Sequence, residues 1–213
     1  MKYLICALIG YFIGAINPAY FIGKIKGRDI RKEGSHNAGG SNALIIFGKA
    51  VGFFCIAFDI CKAIIAVIVV EAIFPDVTHA FAVSVAGTAC ILGHMFPFYL
   101  KFKGGKGTAS LGGMVIIYNW RVALAFLVAE IIIVLVSDYL CLLPITLSTA
   151  FPVVFGVMES NVTGTMIIFI STIAILLKNI ENIIRISKGT EAHFSFLWNK
   201  NKEIERVQNA QNK

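Results

Sequence analysis

The chain has 213 residues, of which 57% are hydrophobic and 15% charged, and its formal net charge is +7 at pH 7. This composition is too apolar for an ordinary soluble domain and predicts an integral membrane protein. In such a protein basic residues report orientation in the membrane, so no nucleic-acid partner is expected.

Apolar runs long enough to cross a bilayer recur along the chain, and each is expected to be a helix because a helix satisfies its own backbone polar groups. The first run is predicted to remain as a helix, since it has no clear signal-peptide cleavage site. The six long runs cover 3–22, 51–74, 79–100, 122–136, 139–158 and 164–177. A shorter run over 109–118 is predicted to be a seventh crossing.

The basic residues decide between six and seven crossings. With seven helices and the N-terminus outside, all of the 19 Lys and Arg except Lys2, Arg121 and Lys62 fall on the cytoplasmic side, as the positive-inside rule requires. The predicted fold is therefore an all-α seven-transmembrane-helix bundle with the N-terminus outside and the C-terminus cytoplasmic. It comprises a membrane domain over 1–195 and a polar cytoplasmic tail over 196–213.

The first cytoplasmic loop contains the segment EGSHNAGGSN over 33–42. Its glycines separate short side chains that can hydrogen-bond a polar ligand: Ser35, Asn37, Ser41 and Asn42. The alternative is a helix N-cap, with Ser41 or Asn42 capping a helix that starts near Ala43.

Several polar side chains lie within the apolar runs. Asp59 and Lys62 are three residues apart at a depth where unpaired charge is costly, so they are expected to pair or to line a polar cleft. His94 directly precedes the cytoplasmic end of the third run and is expected to be an interface histidine. Glu130 is a lone carboxylate of a kind also found in proton relays. The five cysteines lack metal-ligand spacing, so no metal or cofactor is expected.

The second loop reads FKGGKGTAS over 102–110. Its glycines let the backbone N–H groups of Gly104, Gly105 and Gly107 face an anion, and Lys103 and Lys106 supply positive charge. The following helix adds the partial charge of its N-terminus, so a phosphate is the expected ligand. The spacing is not that of a Walker A loop. Positive-inside topology combined with a flexible turn explains the same residues equally well.

The third segment, KNIENIIRISKGTE over 178–191, ends the last helix. Gly189 predicts the helix stop, and Glu191 follows it. Three polar residues share one stripe of the helix: Asn179, Asn182 and Arg185. A solvated helix end is the alternative to a site. The predicted topology places all three segments on one membrane face.

These segments, in this order, resemble the bacterial membrane acyl-phosphate:glycerol-3-phosphate acyltransferases, the PlsY family. Asp59 and Lys62 also fit the family pattern. The second segment matches at Gly93, His94, Phe96, Pro97, Phe102, Lys103, Gly104, Gly105, Lys106 and Gly107. The third matches at Glu181, Asn182, Ile183, Gly189, Thr190 and Glu191.

The chain departs from the family pattern in the first and third segments. Ile45 stands where the family carries an arginine, and isoleucine cannot replace a fork-shaped phosphate ligand. Asn179 stands where a histidine is usual. Further replacements in the first segment are His36, Ala38, Gly40 and Ser41.

The resemblance implies transfer of a fatty acyl group from acyl phosphate to the sn-1 hydroxyl of glycerol 3-phosphate, giving lysophosphatidic acid and phosphate. It implies a bacterial inner membrane, cytoplasmic active-site loops, membrane lipid as a partner and no obligate protein partner. Catalytic roles fall to Ser35, Lys106 and Asn182. The implied substrate-binding residues are Asn37, Ser41, Asn42, His94, Lys103, Gly104, Gly105, Gly107 and Glu191.

Two alternatives remain at this point. One is a paralogue that has lost activity or uses a different acceptor. The other is a membrane transporter of a phosphorylated metabolite, although the chain has no internal repeat and all its polar segments are predicted on one face, whereas a carrier needs access from both.

Overall fold

The computed structural model describes residues 1–191 and 193–197, and this part of the chain is built from helices and loops. The helices are α1 (Lys2–Ala15), α2 (Pro18–Ile25), α3 (Gly40–Phe47), α4 (Lys49–Ile73), α5 (His79–Ala82), α6 (Thr88–Met95), α7 (Thr108–Tyr118), α8 (Trp120–Ser137), α9 (Leu142–Glu159) and α10 (Val162–Ser187). A π-helical segment, Val83–Gly87, joins α5 to α6. Short 3-10 turns cover Ile30–Lys32, Phe98–Leu100 and Phe194–Leu197.

Six segments of the described residues are long and apolar enough to cross a membrane, so the chain is a multi-pass membrane protein. They are Lys2–Ile25, Lys49–Ile73, His79–Leu100, Trp120–Ser137, Leu142–Glu159 and Val162–Ser187. Each corresponds to one of the six predicted long runs. The run over 109–118 forms α7, an apolar helix of 11 residues.

The first predicted helix is interrupted at Asn17, where the sequence predicts continuous helix. The Asn17 side chain caps α2 by accepting from the Tyr20 amide at 2.9 Å, and it donates to the Ala38 carbonyl at 2.7 Å. Lys62 Nζ donates to the Ile16 carbonyl at 2.9 Å. A break among membrane-spanning segments is tolerated because side chains satisfy the freed backbone groups.

Small residues bring the helices into close contact. A Cβ at Gly10 or Gly14 of α1 would overlap the backbone of Ala86 or Cys90, so α1 packs directly against α6 and the π-helical segment. Gly113 of α7 lies in the same way against Ile60 of α4. Such close approach supplies the van der Waals packing that holds membrane helices together.

Polar side chains connect α8, α9 and α10. Pro152 in α9 has no N–H to donate to the Ser148 carbonyl four residues earlier. The Thr172 hydroxyl of α10 donates to that carbonyl instead, at 2.7 Å. Glu130 of α8, whose partner the sequence does not identify, accepts from the Thr146 hydroxyl of α9 at 2.7 Å.

One end of the bundle is closed by contacts between helix termini. Lys2 pairs with Asp76, and the Tyr118 hydroxyl donates to Glu159 at 2.9 Å. The glycine-rich segments lie at the other end.

Candidate active site

A buried charged cluster lies beneath the second loop. Asp59 and Lys62 of α4 pair at 2.7 Å, which confirms the predicted ion pair. His94 Nδ1 of α6 lies 2.9 Å from Lys62 Nζ and 3.2 Å from Asp59 Oδ1. All three side chains are buried, so the interpretation of His94 as an interface histidine is wrong. Mutual pairing offsets part of the large cost of burying these groups.

The second loop folds back onto the end of α6. The Gly104 amide donates to the Met95 carbonyl at 3.0 Å, and the Gly105 amide donates to the His94 carbonyl at 3.1 Å. A Cβ at Gly105 would overlap the His94 imidazole. Glycine is therefore required here for close packing. Both amides are engaged within the protein, contrary to the expectation that they face a phosphate.

The loop then turns into α7 through Gly107, which has a left-handed φ of +86°. No side chain caps the helix, whose first residue is Thr108. The first-turn N–H groups of a helix have no acceptor within the helix and carry partial positive charge, which suits an anion. This uncapped helix N-terminus adjoins Lys106.

Asn42 organises the first loop from its interior. It is fully buried in the first turn of α3, its amide lies 2.9 Å from each of the carbonyls of Ile30, Glu33 and Asn37, and its side-chain oxygen accepts from the Ser35 amide at 2.8 Å. Asn42 is thus engaged within the protein, where the resemblance implies a substrate contact.

The helix after the first loop begins earlier than predicted. Gly39 is the N-cap residue of α3, and no side chain caps the helix. The interpretation of Ser41 or Asn42 as the cap is therefore wrong. A Cβ at Gly39 would lie 4.0 Å from the Gly105 Cα, so the first and second loops meet at these two glycines.

Lys106 connects the second loop to the third segment. Its Nζ donates to Asn182 Oδ1 at 2.6 Å. Asn182 Nδ2 donates to Glu191 Oε1 at 2.8 Å, and Arg185 Nε donates to Glu191 Oε2 at 2.6 Å. Burial lowers the pKa of Lys106 below its ordinary value, the nearby Arg185 lowers that pKa further, and Glu191 opposes the shift. A cation that is partly desolvated in this way interacts strongly with an incoming anion.

The third segment closes the end of α10 with hydrogen bonds. Gly189, with φ +67°, follows the helix, which confirms the predicted stop. The Thr190 and Glu191 amides both donate to the Arg185 carbonyl, at 2.8 and 3.1 Å. Asn182 and Glu191 are only 6% and 8% exposed, so a solvated helix end is not what the structure contains.

The remaining predicted residues lie around this centre. Asn179 is buried and donates within α10 to the Ile175 carbonyl. Three side chains are exposed and make no hydrogen bond among the described residues: Ser35, Ser41 and Lys103. Ile45 on α3 is 66% exposed. No group of three or more His, Cys, Asp or Glu in the described part of the chain is arranged to hold a metal ion.

Two contributors are not predicted from the sequence. Arg185 is identified only as part of a helix stripe, yet it holds Glu191. Cys141, directly before α9, lies beside Glu191, and burial together with that carboxylate raises the pKa of the thiol to about 11. Cys141 is far from Glu191 in the sequence, and no local sequence pattern predicts this contact.

Comparison with known proteins identifies the family. The family model described as glycerol-3-phosphate acyltransferase matches residues 4–189. The chain belongs to the glycerol-3-phosphate acyltransferase family. It is 37% identical over 195 residues to the glycerol-3-phosphate acyltransferase of Thermosipho melanesiensis, covering 90% of this chain and 92% of that one. It is 33% identical over 212 residues to that of Lactiplantibacillus plantarum, covering 97% and 100%.

A solved structure has the same fold. The crystal structure of PlsY (YgiH), an integral membrane glycerol 3-phosphate acyltransferase in its glycerol 3-phosphate form, superimposes with a TM-score of 0.81. The two sequences are 29% identical, and the match covers 92% of this chain and 98% of that one. The lysophosphatidic acid form of the same protein gives a TM-score of 0.79.

Proposed function

We propose that this member of the family transfers a fatty acyl group from acyl phosphate to the sn-1 hydroxyl of glycerol 3-phosphate. The acceptor hydroxyl oxygen attacks the acyl carbonyl carbon, the bond from that carbon to the phosphate oxygen breaks, and lysophosphatidic acid and inorganic phosphate are formed. The hydroxyl proton passes to a phosphate oxygen of the substrate. Acyl phosphate is already an activated mixed anhydride, so positioning and anion stabilisation suffice without a covalent nucleophile.

The observation that carries this proposal is the convergence of Lys106, the uncapped start of α7 and the Asn182–Glu191 pair. Lys106 Nζ and the first-turn amides of α7 bind a substrate phosphate. The Gly107 amide, which has no backbone acceptor among the described residues, joins them. Asn182 and Glu191 hold Lys106 and face the hydroxyls of the acceptor.

The other predicted residues divide between contact and support. Ser35, Asn37 and Ser41 contact the polar groups of glycerol 3-phosphate, and Lys103 adds positive charge at the entrance. His94, Gly104, Gly105 and Asn42 hold the two loops in shape, as their packing and hydrogen bonds support.

We further propose that α7 is a seventh crossing, that the N-terminus is outside and that the loops are cytoplasmic in a bacterial inner membrane. Two observations support this. The contact of Tyr118 with Glu159 joins the end of α7 to the end of α9, and the bond of Lys106 with Asn182 joins the start of α7 to the end of α10. Residues 1–195 form the membrane domain and 196–213 the tail, with membrane lipid as the surrounding partner and no obligate protein partner.

The test is phosphate release from palmitoyl phosphate by purified protein, with and without glycerol 3-phosphate. We expect acceptor-dependent release with formation of lysophosphatidic acid. Lys106→Ala and Ser35→Ala should each lower kcat/KM by about 100-fold or more, the usual size of losing a charge-stabilising or positioning group. Lys101→Ala, an exposed lysine of the same loop, is the matched control and should retain wild-type activity.

The outcomes separate the alternatives. If glycerol 3-phosphate does not stimulate phosphate release but another alcohol does, the acceptor is a different alcohol, consistent with Ile45 in place of the family arginine. Wild-type rates in both Lys106→Ala and Ser35→Ala would contradict the proposed site.

A further inference from the structure

Asp138, at the end of α8, holds the chain that follows α10 by hydrogen bonds to Phe194 and Ser195. The Phe194 amide donates to the Asp138 carbonyl at 2.6 Å. The Ser195 amide donates to Asp138 Oδ1 and the Ser195 hydroxyl donates to Oδ2, both at 2.7 Å. The His193 ring packs edge-on against Tyr139 with centroids 4.9 Å apart. These contacts form a short strap, which consists of residues 138–141 and 193–195.

Asp138 is suited to this role because it lies at the end of a helix. Its own amide donates to the Val134 carbonyl and its φ of +62° is left-handed, so its backbone is held by α8. Aspartate adopts this left-handed conformation more readily than most other residues do. Its carboxylate therefore faces the incoming chain from a fixed position.

The strap adjoins the proposed active centre. Glu191 lies two residues before His193, and Cys141, three residues after Asp138, lies beside that same Glu191. The end of α10 holds Glu191 on one side, through its amide bond to the Arg185 carbonyl and its side-chain bonds to Asn182 and Arg185. The strap holds the chain on the other side of Glu191, and two anchors restrict a side chain more than one.

We propose that Asp138 is a positioning residue. By binding the chain at Phe194 and Ser195, it keeps the Glu191 side chain in contact with Asn182 and Arg185. Because Asn182 accepts from Lys106, Lys106 is thereby kept in its binding position. The role rests on the proposed function, since Lys106 is taken as the phosphate ligand. Asp138 touches no substrate in this arrangement. It acts through Glu191, whose bonds to Asn182 and Arg185 measure 2.8 and 2.6 Å.

The first test compares Asp138→Ala with Asp138→Asn. The alanine variant loses both carboxylate acceptors, and we expect kcat/KM for glycerol 3-phosphate to fall about ten-fold, a loss typical of a positioning contact. In the asparagine variant the amide oxygen still accepts from the Ser195 amide, and its NH2 can donate to the hydroxyl. Its kcat/KM should stay within about three-fold of wild type. Asp76→Ala, at the opposite end of the bundle, is the matched control and should not change it.

The pH profile gives a signature that a purely structural loss would not produce. The groups facing Lys106 are Arg185, Glu191, Cys141 and Glu181. Loss of Glu191 from its place removes the strongest opposing charge on Lys106, so the alkaline midpoint of activity should move to lower pH in Asp138→Ala. Glu191→Gln should move it in the same direction, and Asp138→Asn should leave it unchanged.

Further measurements keep the proposal open to refutation. Hydrogen exchange of the Phe194 and Ser195 amides should accelerate in Asp138→Ala whether or not acyl transfer is found, which separates the strap from the proposed function. If Asp138→Ala does not fold, Ser195→Ala removes one strap bond and should lower kcat/KM by roughly two- to three-fold. An unchanged kcat/KM, alkaline midpoint and exchange rate in a folded variant would overturn the proposal.

Discussion

At the scale of the residue, buried asparagines join the segments of the candidate site. Asn17 connects the helix break to the first loop, Asn42 holds the first loop together, and Asn182 connects Lys106 to Glu191. One carboxamide both donates and accepts, so a single side chain satisfies backbone or side-chain groups from two segments. Sequence reasoning identifies Asn42 and Asn182 as important, but it cannot tell a ligand contact from a bond within the protein.

Lys106 should give the enzyme an alkaline limit below that of an ordinary lysine. A lysine is charged below its pKa and neutral above it, and burial and Arg185 lower this pKa from the ordinary 10.5. Phosphate affinity is therefore present at low pH and is lost as pH rises through the lowered value. We expect the midpoint of the rise in the KM for glycerol 3-phosphate to lie below pH 10.5, measured by steady-state phosphate release.

Arginine at the same position provides the control for this limit. The guanidinium of Lys106→Arg stays charged throughout the range. Even if its geometry lowers the rate, the alkaline rise in KM should disappear. A rise that persists unchanged in Lys106→Arg would assign the limit to another group.

At the scale of the element, the second loop is shaped by its contact with α6. The sequence predicts a flexible anion-binding loop from its glycines and lysines, and the structure instead uses Gly104 and Gly105 for packing against His94 and Met95. The difference arises because free N–H groups and close backbone approach both require glycine. Only the position of the neighbouring helix distinguishes them.

Gly105→Ala should disable the loop. The added Cβ would overlap the His94 ring, which is itself held by Asp59 and Lys62 and cannot easily yield. We expect destabilisation of about 1–3 kcal/mol, as for overpacking elsewhere, and a fall in kcat/KM of about 100-fold as Lys106 moves. Thermal unfolding in detergent and acceptor-dependent phosphate release measure the two effects.

Gly112→Ala is a matched control for that variant. Gly112 lies on α7, in the same region of the chain, and a Cβ there would meet nothing within 4 Å. Because alanine favours helix over glycine by about 1 kcal/mol, this variant should be at least as stable as wild type. Equal behaviour of the two variants would contradict the packing role of Gly105.

The membrane helices are predicted well because long apolar runs have few alternative structures. The interruption at Asn17 is missed, since one polar residue before a proline hardly changes a run of about 20 apolar residues. The site itself is predicted as three segments on one face. The pairing of Glu191 with Arg185 depends on how the chain turns at Gly189. The strap at Asp138 joins residues 57 positions apart, so no local sequence pattern predicts it.

At the scale of the whole molecule, the seven-crossing topology makes a prediction about accessibility. Asp76 and Arg121 should be outside the cell, and Lys101 should be cytoplasmic. In a variant whose five cysteines are replaced, a single cysteine at 76 or 121 should react with an impermeant maleimide on intact cells. A cysteine at 101 should react only after lysis.

The position of Arg121 decides whether α7 crosses the membrane. If 101 and 121 are labelled from the same side, α7 does not cross and the seven-helix topology is wrong. If 101 reacts on intact cells and 76 does not, the orientation is reversed. Labelling of denatured protein at all three positions controls for the intrinsic reactivity of each cysteine.

The bond between Thr172 and the Ser148 carbonyl makes two distant positions dependent on each other. Thr172 is needed there because Pro152 withholds the N–H that the carbonyl would otherwise receive. Replacement of the proline would supply an N–H to the Ser148 carbonyl and make the threonine contact unnecessary. Loss of the threonine first would leave that carbonyl without a donor. We therefore expect positions 152 and 172 to vary together among related proteins, with the proline replaced before the threonine.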